Sequence, residues 1–176
     1  MRLFHFSDDP AIARFDPRPV RTPSERPPGK DWLNGPLVWA IDELRQPMYL
    51  FPRDCPRILL WRTPDTSPED ARRFWDGRDC RMIAHIEWAW FERWRTACLH
   101  RYDLPPEPFA YEEAGMWVSR EPVTPLAMET LTDLPAALAA ADVEVRVMTS
   151  LRPLKDVWDT TVHASGIRLR NAADWA

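Results

Sequence analysis

The chain has 176 residues, 45% of them hydrophobic and 28% charged, with a formal net charge of −4. This length buries a core without staples, so one globular domain over residues 1–176 is expected. The negative charge excludes the basic footprint of a general nucleic-acid binder, and no apolar run reaches the roughly 20 residues that span a bilayer.

In chain order, residues 2–7 read as an opening strand that carries His5 and Ser7. Asp9 is placed as an N-cap with Pro10 at the first helical position, predicting a turn or two of helix over 11–15. Residues 17–36 are polar and contain six prolines. This reads as a long surface loop, and such loops in compact domains tend to be functional, here as a lid. A buried strand follows over 37–41, with Asp42 capping a helical turn through Gln46, and another strand over 57–61.

Ser67 and Pro68 announce a helix that runs to about Trp75 and stops near Gly77. Residues 80–87 alternate as a strand, and 88–95 read as a helix whose Trp88, Trp90, Phe91 and Trp94 are expected in the core. Strands are expected over 97–103, 115–119 and 126–131, a helix over 136–141 after Asp133, a strand over 143–148 and a helix over 154–163. Residues 165–171 close the chain, with Arg168 and Arg170 on one strand face. The irregular alternation and the lack of a glycine-rich phosphate loop argue against a doubly wound sheet. The expected class is α+β, with mixed, largely antiparallel sheets and short peripheral helices.

Three cysteines, Cys55, Cys80 and Cys98, match neither a disulfide framework nor a CxxC metal pattern. Acidic Asp8 and Asp9 follow Arg2 too closely for a targeting peptide. A cytoplasmic protein with reduced thiols and no metal is the expectation.

Several residues carry chemistry. His5 on its strand can bond a ribose hydroxyl or a phosphate, or serve as a packed structural residue. The run Pro52-Arg53-Asp54-Cys55-Pro56-Arg57 reads either as an anion clamp or as a salt-bridged turn, with Cys55 a low-pKa thiol in the first case. Of the 23 cationic residues 21 are arginine, which grips phosphate and carboxylate bidentately; genomic coding bias gives the same excess. His85 and Glu87 share a strand face, as an acid–base pair or as a hydrogen-bonded strand end. Ser165 to Asn171, with His163 just before, either holds an anion or ties the C-terminus to a sheet. Trp39, Tyr49 and Trp117 are placed to stack on a flat ligand.

The stretches His5-Phe6-Ser7, Phe15-Asp16-Pro17-Arg18 and Val38-Trp39-Ala40-Ile41-Asp42 resemble the start of the ADP-ribosyltransferase-like fold. The resemblance implies binding of NAD or a related nucleotide, with transfer or hydrolysis of ADP-ribose. It implies that His5 and Ser7 hold the ribose and nicotinamide, that Tyr49 or Trp39 stacks, and that Arg53 meets the pyrophosphate. The family's catalytic glutamate opens a late strand. Here Gly115 opens the matching strand, and Glu113 just upstream is the candidate. The whole chain also resembles a family of bacterial proteins without assigned activity that carry the HFSDDP, PRDCPR and SGIRLRNA stretches. Two further readings stand beside these: a non-catalytic interaction module on the same scaffold, and a different enzyme using Cys55 or the His85/Glu87 pair.

Overall fold

The computed structural model describes residues 1–175. It is α+β, and it forms two compact units of two chain segments each: Met1–Gln46 with Leu99–Leu131, and Pro47–Cys98 with the residues from Thr132 onward. No helix among the described residues is long and apolar enough to cross a membrane.

The first unit is a six-stranded antiparallel sheet. Its strands are β1 (Leu3–Ser7), β2 (Val38–Asp42), β5 (Leu99–Leu104), β6 (Ala110–Glu113), β7 (Met116–Ser119) and β8 (Ala127–Leu131), in the order β6-β7-β2-β1-β5-β8. Alternation along the strands puts Leu3, Val38, Ala40, Tyr102 and Leu104 on one face, where Phe15 and Val123 close the core. The β1–β2 ladder holds only Leu3↔Asp42 and Phe4↔Ile41, whereas β1 pairs with β5 along its whole length.

The helix expected over 11–15 does not form. Five residues supply too few hydrogen bonds to offset nucleation. Tertiary bonds capture the segment instead: Asp9 Oδ1 accepts from the Ala11 N–H at 2.8 Å, the Tyr102 hydroxyl donates to the Asp9 carbonyl at 2.7 Å, and Phe15 bridges to Val123. The Pro-rich stretch is likewise tied down. Arg18 bridges to Leu37, and the Asn34 side chain bonds both backbone groups of Ser24.

Strand β6 is not announced by any alternation. Its hairpin with β7 turns on Ala114 and Gly115, at φ 48° and 84°. This two-residue turn favours asparagine then glycine. Ala114→Asn is expected to raise stability by about 0.5–1 kcal/mol, because alanine bears the steric cost of a left-handed backbone without a compensating polar contact. Gly115→Ala is expected to lower it by about 1–3 kcal/mol, since the new Cβ would lie 2.5 Å from Arg45 Cγ. Urea denaturation of the two variants reads both signs.

The second unit is a four-stranded mixed sheet of β3 (Arg57–Trp61), β4 (Met82–Glu87), β9 (Val143–Met148) and β10 (His163–Ile167), in the order β10-β3-β4-β9. Only the β4–β9 pair is parallel. Helices α1 (Pro68–Trp75), α2 (Trp88–Arg95) and α3 (Leu134–Ala140) flank it. Ser67 caps α1 by accepting from the Asp70 N–H, and Asp133 caps α3 by accepting from the Ala136 N–H. One sheet face packs Ile58, Leu60 and Ile83 against Phe74, Trp75, Leu154 and Val157.

Three expectations are corrected in this unit. Residues Arg152–Asp159 form a 3-10 helix that stops at extended Thr160, and His163 already belongs to β10. Only Trp94 of the aromatic stripe on α2 is buried, and Trp88 is 59% exposed, because the short helix covers the sheet with one edge. Arg168 lies in the left-handed region at φ 56°, where the chain leaves β10 for the 3-10 turn Leu169–Asn171, so it shares no strand face with Arg170.

Candidate functional site

The second unit brings the two arginine-bearing motifs of the sequence together. A 3-10 turn over Gln46–Tyr49 and a turn closed by the Cys55 N–H on the Pro52 carbonyl, at 2.9 Å, shape the approach to β3. Prolines at 47, 52 and 56 stiffen this stretch. Arg57 opens β3 and is only 2% exposed. Its guanidinium folds back on the stretch, with Nε donating to the Met48 carbonyl at 2.8 Å and Nη1 to the Cys55 carbonyl at 2.9 Å. The same group lies 5.8 Å from the Tyr49 ring centroid and 5.3 Å from that of Phe51. Phe51 stacks on Trp94, whose Nε1 donates to the Leu50 carbonyl at 3.1 Å.

The C-terminal motif docks on this platform. Arg168 Nε donates to the Arg53 carbonyl at 3.3 Å, and Asn171 Nδ2 to the Asp54 carbonyl at 2.8 Å. The left-handed backbone at Arg168 makes the turn that allows both bonds. Arg168 lies close enough to Tyr49 and Arg57 to act on both electrostatically. Burial pushes the Tyr49 phenol up, with Arg57 and then Arg168 opposing it. Burial pushes the Arg57 guanidinium down to about 10; Cys55 and Tyr49 act in the opposite direction and the like charge of Arg168 adds to the lowering. Among the described residues no carboxylate pairs with Arg57 or Arg168. Two guanidiniums are thus held near each other by backbone carbonyls and aromatic rings, which is the chemistry of an anion site.

The reading of Cys55 as a low-pKa thiol is overturned. The side chain is fully buried, and desolvation raises it to about 11 despite Arg57 and Arg93 nearby. His85 and Glu87 do not bond to each other. Glu87 accepts from the backbone N–H groups of Leu151 and Ala173, and His85 Nδ1 is buried without a partner. Among the described residues no group of three or more His, Cys, Asp or Glu is arranged to hold a metal ion.

The remaining sequence-predicted residues divide between the units. Tyr49 and Arg53 belong to the second, as described. In the first, His5 Nδ1 lies 2.8 Å from the Trp39 carbonyl and its ring 4.7 Å from that of Phe15. A carbonyl only accepts, so Nδ1 carries the proton of this bond. This bond takes over where the β1–β2 ladder stops, which fixes His5 and Trp39 together. Ser7 is buried and its hydroxyl accepts from the Asp9 N–H at 3.1 Å. The Trp39 ring faces the Arg26 guanidinium at 5.9 Å. Trp117 packs on the unit's core, edge-on to Tyr111. Glu113 stands on the edge strand β6, exposed, with Oε2 3.8 Å from Lys30 Nζ; Glu112 takes the closer bond to the same lysine.

Sequence reasoning placed Arg57 in one candidate anion motif and Arg168 in another, but named only Arg53 as the residue that meets a pyrophosphate. The available signal for Arg57 was a single cation in the otherwise apolar strand Arg57-Ile58-Leu59-Leu60-Trp61. For Arg168 the local signal was the Ser165–Asn171 motif, but its partner, the Arg53 carbonyl, lies 115 residues away and left no local trace.

Comparison with curated proteins yields no match, and comparison with solved structures yields none. The family model described as a family of unknown function (DUF6886) matches residues 4–172. With nearly its whole length covered, this chain belongs to DUF6886.

Proposed function

We propose that the chain binds a phosphate-bearing small molecule of nucleotide type, and that Arg57 and Arg168 hold its phosphate beside Tyr49. One observation carries this reading: a buried guanidinium kept beside a second one with no carboxylate to neutralise either. An uncompensated buried cation is costly, and an incoming anion relieves that cost through charge-assisted hydrogen bonds.

Calorimetric titration with ADP-ribose, NAD, AMP and inorganic phosphate tests it. Arg168→Ala is expected to weaken binding about 10–100-fold, the worth of one charged hydrogen bond. Arg57→Lys, which keeps the charge but cannot span both carbonyls, is expected to weaken it as well. No heat with any of the four compounds, or equal affinity in Arg168→Ala, would remove the reading.

A separate reading rests on the first unit alone: NAD or ADP-ribose binding with transfer or hydrolysis on an ADP-ribosyltransferase-like scaffold, supported by the resemblance of the β1 and β2 sequences. In it His5 orients the ribose and Glu113 stabilises the charge that develops as the glycosidic bond breaks. Nicotinamide release from NAD that falls in both His5→Ala and Glu113→Gln is the expected result. Binding without turnover favours the alternative, a non-catalytic module. That alternative is supported by the exposed position of Glu113 beside Lys30 and by Gly115 standing where the resemblance calls for a glutamate.

A further inference from the structure

The four-stranded sheet carries a polar pair, His85 and Arg146, that the arginine site does not use. Strand register lines up Gly166, Ile58, His85 and Arg146 across one face, from β10 to β9. His85 is 3% exposed, and its Nδ1 and the Nη2 of Arg146 are both buried without a hydrogen-bond partner. Native folds rarely leave one such atom unpaired, and here two belong to neighbouring side chains.

The carboxylates nearby are already engaged. Glu144 gives one oxygen to Arg146 Nε at 2.7 Å and meets Arg78 Nε with the other at 3.3 Å. Glu87, two residues along β4 on the same face, is taken by the N–H groups of Leu151 and Ala173. Cys80 adds no negative charge, because burial raises its thiol. Two guanidiniums therefore share one carboxylate beside a buried imidazole. Strand β9 is an edge of its sheet, and Arg146 keeps 25% of its side chain exposed, which gives a route in from the side.

We propose that His85 and Arg146 form a seat for a small oxyanion, a carboxylate or phosphate group, separate from the arginine site and independent of it. The oxyanion accepts from Arg146 Nη2 and from a protonated His85 Nδ1. Burial first, and Arg146 second, hold the His85 imidazole down to about 4. A bound anion offsets the guanidinium and draws a proton onto the ring. A buried water satisfies the same atoms, but it brings no charge and does not depend on anion concentration.

Nuclear magnetic resonance of the isotope-labelled full chain tests the seat. Inorganic phosphate and, separately, formate are titrated while the His85 ring signals are followed, assigned with His85→Gln, with chloride at matched ionic strength as the control. The expected result is a saturable movement of those signals and a rise of the His85 titration midpoint. Arg146→Gln should weaken the response at least about tenfold, and Arg168→Ala should leave it unchanged. If Arg146→Gln does not fold, Arg146→Lys, which keeps the charge but loses the fork, is read the same way. His85 signals that do not move, that move equally with chloride, or that respond fully in the folded Arg146 variant overturn the seat. A response lost in Arg168→Ala belongs to the arginine site and overturns it too.

Discussion

Glu87→Ala is expected to destabilise the protein by about 2–5 kcal/mol. Glu87 is 2% exposed, and its two oxygens take the Leu151 and Ala173 N–H groups at 3.1 Å. Alanine removes both acceptors, leaves the buried Leu151 N–H unpaired beside a cavity, and costs the N–H of the exposed Ala173 its bond as well. The carboxylate reaches from the end of β4 to Leu151 and to the last turns of the chain. Glu87→Gln keeps one acceptor oxygen and should cost less, about 1–3 kcal/mol. Chemical denaturation separates the two, and hydrogen exchange should show the loss concentrated at Leu151 and Ala173. An alanine variant as stable as the glutamine variant would mean that these bonds contribute little.

A comparable loss is expected on acidification. The His85 imidazole sits near 4 in the fold against 6.5 for an ordinary histidine, chiefly through burial and then through Arg146. A histidine lowered in this way binds its proton more weakly folded than unfolded. Its contribution is therefore fully present above about pH 6.5 and is lost as the pH falls through the window to about 4. The gap corresponds to about 3 kcal/mol of stability. Urea midpoints measured at pH 7 and at pH 4.5, in a buffer free of phosphate and carboxylate, should fall steeply for the wild type. His85→Phe, which keeps the ring volume and cannot titrate, should fall less. Parallel pH dependence in both proteins would place the effect on other groups.

Most of the strands were readable because their signal is local. Arg57–Trp61 is an apolar run, Val143–Met148 alternates, and Met82–Glu87 is both. The starts of α1 and α3 were readable because Ser67 and Asp133 cap with their own side chains within three residues. Where long-range bonds outbid a weak local tendency, the reading failed. The Asp9–Phe15 stretch has a helix-start pattern, yet Tyr102 and Val123 hold it extended. Strand β6 is exposed at all its residues but Glu112 and lies on a sheet edge, and only its hairpin partner β7 makes it a strand.

The candidate site follows the same division. Both arginine motifs stood out in the sequence because prolines, glycine and arginine cluster in them, and each left open whether it was a clamp or a brace. Local composition was enough to establish α+β character, the caps, the motifs and the strand that carries His85. It could not show that Arg168 reaches the loop of Arg53, that Arg57 is buried without a carboxylate, or that burial raises the Cys55 thiol. Those properties depend on which distant segment lies alongside and on how much water it excludes. Burial sets the charge state of a side chain, and the whole fold sets burial.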